Sequence, residues 1–339
     1  MTKQTWRNFA TSLALLGVVL SASLSSAQSG LKLRLPGKRP PSSAMRPTSA
    51  QTQTPGPPSY SYTLFNFPGT LYTFAEGINP GAATARTEIV GGYGPDVEIT
   101  PAGFLAQVSG TKIVTESYEA VNASHVPAQQ AAFGINDSGQ IVGSYLDSSG
   151  LYHGYEKIGG RFTELNVSFA GASNTIPSGI NNSGEIVGGY TTASGSTSGF
   201  FLIGGVYTSF NYPEAIFTNP FGVNSAGDIV GQYTDSSGVG HGFLLSGGTY
   251  TSFDFPGAVD TFAAGINDAG EIVGVYCLTS ECIPYFDGAQ GFVLSGGVYT
   301  TIAVPGEVYS EALGINNNGV IVGFYQDAAG LAVSFLATP

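Results

Sequence analysis

The stretch Gly265-Ile266-Asn267-Asp268-Ala269-Gly270-Glu271-Ile272-Val273-Gly274-Val275-Tyr276 decides the fold, because the chain writes it repeatedly. It reads as a hairpin. Asn267 carries the short amide that closes an Asx-turn, and Gly270 supplies the positive φ that a three-residue loop ending in a G1 bulge requires. On the strand that follows, Ile272, Gly274 and Tyr276 face one side while Glu271, Val273 and Val275 face the other. Copies begin at Gly77, Gly134, Gly179, Gly222, Gly265 and Gly314, spaced by 57, 45, 43, 43 and 49 residues. A period of that length marks a repeat architecture.

Within the copy that starts at Thr261, strand-like runs cover 262–267, 271–276, 291–295 and 299–304, divided by glycine-rich turns such as Ser295-Gly296-Gly297. No helical periodicity interrupts the series after residue 60. Each repeat is therefore expected to be a four-stranded antiparallel meander. One such sheet, apolar on both faces, is stable only when packed against neighbours. Six arranged radially make an all-β, six-bladed β-propeller. The two ends of the chain fit a closed ring. The last repeat runs out at Pro339 without a fourth strand, and the run from Tyr62 to Gly69 matches the fourth-strand run from Tyr250 to Gly257. The N-terminal strand is expected to complete the final blade and remove its free edge. Gly265 and its equivalents are expected on crowded innermost strands, and Gly274 and its equivalents where a side chain would block blade-to-blade packing. The first repeat is atypical, with a longer connection over 79–89 and weakly written third and fourth strands.

Upstream of the repeats, Lys3 and Arg7 precede an apolar run over 13–20 and the small residues Ser25-Ser26-Ala27, the pattern of a secretory signal peptide over 1–27. That run is too short to span a bilayer, and no later stretch is long enough. Residues 28–59 are rich in Pro, Ser, Thr and Gln and basic without one acidic residue, which predicts a disordered linker. The propeller is assigned to 60–339. From Tyr60 onward, 23 acidic residues face four basic ones, a net charge of −19. Nucleic acid is excluded as a partner, since binding it relies on neutralising phosphates. The expectation is a monomer, secreted or periplasmic. Cys277 and Cys282, five apart in an unusually long loop, are expected to form a disulfide after export.

The units Gly-Ile-Asn, Gly-Glu-Ile-Val-Gly and His-Gly-Phe followed by a Gly-Gly turn resemble the bacterial extracellular HAF repeats, over roughly Tyr62 to Leu336. His153-Gly154-Tyr155 and His241-Gly242-Phe243 keep the histidine of the naming motif, while Ser198, Gln290 or Val333 replace it elsewhere. The resemblance implies an exported repeat protein and brings no catalytic residues with it.

Chemistry-bearing motifs are sparse. His153 and His241 fall in non-neighbouring repeats, too far apart to share a metal. The run Gly91-Gly92-Tyr93-Gly94-Pro95-Asp96 matches a calcium nonapeptide only in a single copy, and Glu98 stands where that motif needs a large apolar residue. No cofactor or metal is expected, and calcium has no motif to support it. Loops between second and third strands, and from the fourth strand to the next blade, emerge on one face and are the longer, more variable ones. Binding residues favour such loops on rigid scaffolds. That face gathers Asp147, Asp235 and Asp327 from one loop class, and Glu119, Glu214, Asp260, Glu307 and Glu311 from the other. The reading is a non-catalytic exported module that recognises a glycan or protein surface through this face. The alternatives are a polysaccharide hydrolase or lyase with axial carboxylates, and a structural surface protein.

Overall fold

The computed structural model describes residues 59–81, 86–94, 102–109, 112–113, 119–121, 130–192, 195–280, 282 and 288–339. The expected leader over 1–27 and the linker over 28–59, save its last residue, lie outside the described residues. Among the described residues, no helix is long and apolar enough to cross a membrane. Among the described residues all regular structure is β.

Strand β1 (Ser61–Phe65) comes first and belongs to the last blade. Blade 1 holds β2 (Tyr72–Ile78), β3 (Thr87–Gly94), β4 (Ala102–Ser109), β5 (Lys112–Ile113) and β6 (Glu119–Val121). Blade 2 holds β7 (Gln130–Ile135), β8 (Gln140–Leu146), β9 (Tyr152–Ile158) and β10 (Arg161–Leu165). Blade 3 is β11 (Ala172–Ile180) to β14 (Val206–Phe210), with β12 (Ile186–Thr192) and β13 (Thr197–Ile203) between them. Blade 4 follows as β15 (Phe217–Val223), β16 (Ile229–Thr234), β17 (Gly240–Ser246) and β18 (Thr249–Phe253). Blade 5 is β19 (Asp260–Ile266), β20 (Ile272–Cys277), β21 (Gln290–Ser295) and β22 (Val298–Ile302). Blade 6 has β23 (Tyr309–Ile315), β24 (Ile321–Gln326) and β25 (Ala332–Thr338), and β1 pairs antiparallel with β25, Tyr62 opposite Ala337. The N-terminal strand closes the ring as the sequence predicted. In blade 1 both β5 and β6 pair with β4, so its outer edge is split.

The repeated hairpin owes its shape to its asparagine and glycine. Gly270 has φ 78°, and Asn267 Oδ1 accepts from the backbone N–H of Ala269 at 3.1 Å and Glu271 at 2.9 Å. The same amide also joins blades. Nδ2 of Asn136, Asn181, Asn224 and Asn267 each donates to the carbonyl of the next blade's equivalent asparagine, at 2.9 to 3.3 Å. Aromatic pairs bind the blades farther out: Tyr212 stacks on Tyr233 and Phe255 on Tyr276, both with centroids 3.6 Å apart. The core lies between blades, as where Val230 of blade 4 packs with Ala263, Ile266 and Ile272 of blade 5.

The inner glycines meet the neighbouring blade as expected. A Cβ on Gly265 would lie 2.8 Å from the Leu313 carbonyl oxygen. The second glycine has a different cause from the one the sequence suggested. A Cβ on Gly274 would overlap the Phe262 carbonyl oxygen of its own blade. All six inner strands carry a bulge one residue before their glycine. Gly143→Ala, which overlaps the Ala131 carbonyl and the Tyr155 ring, is expected to destabilise by about 3 kcal/mol or more. Gly160→Ala in the same blade meets nothing within 4 Å and is expected to change stability by less than about 0.5 kcal/mol; urea midpoints measure both.

Candidate functional site

The long-loop face is built from carboxylates that first serve their own turns. Asp147 Oδ1 accepts from Ser149 N at 2.8 Å and Leu151 N at 2.9 Å. Asp235 does the same with Ser237 and Val239, and Asp327 with Ala329 and Leu331. The hydrogen bonds from Leu151 and Ser149 hold the Asp147 carboxyl well below its ordinary range. At Asp235 partial burial pulls the pKa up, and the bonds from Ser237 and Val239 overcome it and leave it lowered. Glu307 Oε2 accepts from Val304 N at 2.8 Å, while burial raises its pKa.

The two histidines extend these turns. His153 Nε2 lies 3.0 Å from Asp147 Oδ2. His241 Nδ1 lies 3.0 Å from both carboxylate oxygens of Asp254, with Asp235 Oδ2 3.7 Å from Nε2. Its hydrogen bond to Asp254 raises the His241 pKa, against the effect of burial. Asp260 stands nearby, accepting from Gln232 Nε2 at 2.9 Å. It is not a loop residue: it opens inner strand β19, and burial pushes its carboxyl up to about 6. Sequence spacing offered a signal for these pairs, six residues from each loop aspartate to its histidine.

Glu214 is exposed and has φ 63°, where Gly69, Gly171, Gly257 and Gly306 occupy the matching turns with φ of 78 to 87°. A side chain in the left-handed region is strained. Glu214→Gly is expected to stabilise the fold by about 0.5–1 kcal/mol, read as a raised urea midpoint. Glu119 lies in β6. Cys277 and Cys282 form a disulfide, with Cα atoms 5.8 Å apart, and both are buried with Tyr72, Phe74, Tyr309 and Phe324.

Glu311 departs from its assignment to this face. It sits inside inner strand β23 and lines a cavity of about 130 Å³ on the ring axis. The bulge explains the lining. The six bulged residues, Glu76, Phe133, Ser178, Phe221, Ala264 and Leu313, all border the cavity. Sequence reasoning did not single out Glu76, although alignment on the inner glycine shows a carboxylate where other blades place Phe, Ser, Ala or Leu. Burial raises the Glu311 carboxyl to about 8, partly opposed by the nearby Tyr309 hydroxyl. Burial and then the nearby Glu311 raise the Glu76 carboxyl well above its ordinary range. Glu76 keeps some exposed surface, and this faces the cavity it lines.

No family model matches the chain, and no curated protein matches its sequence. Solved structures match it in fold. Trypanosoma rangeli sialidase superposes with a TM-score of 0.53 at 8% identity, covering 83% of this chain and 60% of that chain. The chain thus spans less than two thirds of the sialidase. TolB from Acinetobacter baumannii gives a TM-score of 0.50 at 13% identity, over 78% of this chain and 63% of that one. The fucose-recognising lectin of Aleuria aurantia, itself a six-bladed β-propeller, gives 0.47 at 9% identity, over 75% and 88%. The class is a six-bladed β-propeller repeat protein, defined by its own sheet topology.

Proposed function

We propose that the protein is an exported, monomeric, non-catalytic binding module of the HAF-repeat type, recognising a glycan or protein surface through its long-loop face. One observation carries this reading. Leu71, Ile216, Val259 and Val308 each immediately precede an inner strand, and they are 48, 50, 37 and 50% exposed. Matching positions of four blades thus present aliphatic side chains at the mouth of the ring, on the face where Asp147, Asp235 and Asp327 are held by their turns. Exposed apolar groups on rigid, polar-rimmed scaffolds favour contact surfaces. The Cys277–Cys282 disulfide and the leader-like pattern over 1–27 support export.

The test mixes the chain from Gln28 onward with insoluble polysaccharides and cell-envelope fractions, then assays pelleted protein and soluble sugar from the same tubes. Retention without released sugar is expected. Release of reducing ends would overturn the reading in favour of a hydrolase, and absence of retention on every surface would overturn it outright.

A further inference from the structure

The axial cavity is chemically unlike the long-loop face. Its described lining contains Glu76 and Glu311 and no lysine, arginine or histidine. The rest is largely apolar, with the rings of Phe133, Phe221 and Phe262 on three different blades. Glu311 is only 3% exposed, and its Oε1 has no hydrogen-bond partner among the described residues. A buried carboxyl oxygen left without a partner is costly, and it calls for a proton or a cation.

We propose that this cavity binds a small organic ammonium ion, held by the Glu76 and Glu311 carboxyl pair, one of them ionised, and by the faces of the surrounding phenylalanine rings. Aromatic faces attract cations through the ring quadrupole, and the attraction grows when the cation is desolvated. A metal ion fits less well. Among the described residues no group of three or more His, Cys, Asp or Glu side chains is placed to hold one, and calcium takes six to eight oxygens. Anions are opposed by the two acids.

Binding is coupled to proton release. The titratable groups of the six inner strands are Tyr72 and Glu76 on β2, Asp260 on β19, and Tyr309 and Glu311 on β23; β7, β11 and β15 carry none. In the absence of a cation, burial favours the protonated form of both glutamates, with the Glu311 carboxyl raised to about 8. The incoming ammonium replaces the proton of one glutamate, which leaves to solvent, while the other carboxyl stays protonated, so affinity rises with pH. The cavity lies toward the end opposite the long-loop face. The lining reaches Pro80, just beyond β2 at the asparagine-turn end, while Tyr72, Tyr309, Phe324 and the disulfide pack the other end.

Isothermal titration of the protein with tetramethylammonium chloride, against sodium chloride at equal ionic strength, tests the proposal at pH 6, 7 and 8.5. Saturable one-to-one binding is expected, at least tenfold tighter at pH 8.5 than at pH 6, with a heat that depends on the buffer's ionisation enthalpy. Glu311→Gln and Glu76→Gln should each weaken it at least tenfold. Ala264→Phe should abolish it while leaving both carboxyls in place; Phe133 and Phe221 already occupy the matching position of other blades, so the strand accepts the ring. No saturable binding by the folded protein at pH 8.5, an equal response to sodium, or undiminished binding in both Gln variants would overturn the proposal. Each of these outcomes leaves the long-loop reading standing, because that face lies at the other end of the ring.

Discussion

Removal of everything up to and including Phe65 is expected to collapse the ring, whereas removal of residues 1–59 is expected to leave it intact. Strand β1 is the fourth strand of blade 6 and pairs with β25 over its whole length. Its side chains tie two blades. The Tyr62 ring meets Phe335 of blade 6 edge-on at 6.0 Å, and Phe65 is buried with Ala75, Ile78 and Phe104 of blade 1. Loss of one buried Phe costs about 3–5 kcal/mol, and the exposed β25 edge adds to that. The sum is comparable to the about 5–15 kcal/mol that holds a typical domain together. Thermal melts by circular dichroism with size-exclusion chromatography measure it. An unchanged melting temperature after loss of β1 would show that the ring does not need its closure.

Stability is expected to be greatest near pH 4 to 5 and to fall as pH rises, the reverse of the usual decline into acid. Glu311 has a folded pKa of about 8 against an ordinary value of 4.5. Folding therefore favours its protonated form. Its contribution is complete below pH 4.5 and is lost as pH rises to about 8, by up to about 5 kcal/mol. Asp260 acts in the same direction between 3.8 and about 6. Glu76 adds a loss of the same sign, driven by burial and by the neighbouring Glu311. Asp147 acts oppositely, because its lowered pKa gives stability that disappears as pH falls below 3.8. Denaturant midpoints from pH 3 to 9 should show this maximum, and Glu311→Gln should flatten the alkaline limb. A midpoint that climbs steadily from pH 5 to 8 would contradict the burial of these acids.

Much of the architecture was legible because it is local and repeated. Gly270 and Asn267 announce their hairpin through φ and Asx geometry alone, and the match between Tyr62–Gly69 and Tyr250–Gly257 announces the closure. What was hidden depends on register between elements. The need for Gly274 follows from the Phe262 carbonyl of the partner strand, which no spacing reveals. The row of four asparagine amides is invisible for a similar reason: an Asx-turn accounts for Oδ1 and leaves the use of Nδ2 open. Glu307 and Glu311 lie four residues apart, yet one caps a loop and the other lines the axis. Asp147, Asp235 and Asp327 lie between the second and third strands of their blades, and their backbone hydrogen bonds depend on turns whose closure sequence alone did not give.

Charge substitution on opposite ends of the ring separates the faces most directly. Ile216→Lys with Val259→Lys alters the long-loop face. Ile158→Lys with Val298→Lys alters equally exposed positions at the other end. Both double variants should fold, because the side chains they replace are exposed. In the pelleting assay the first pair is expected to lose retention at least tenfold and the second to retain it. Loss confined to the second pair, or the same retention in both, would contradict recognition through the long-loop face.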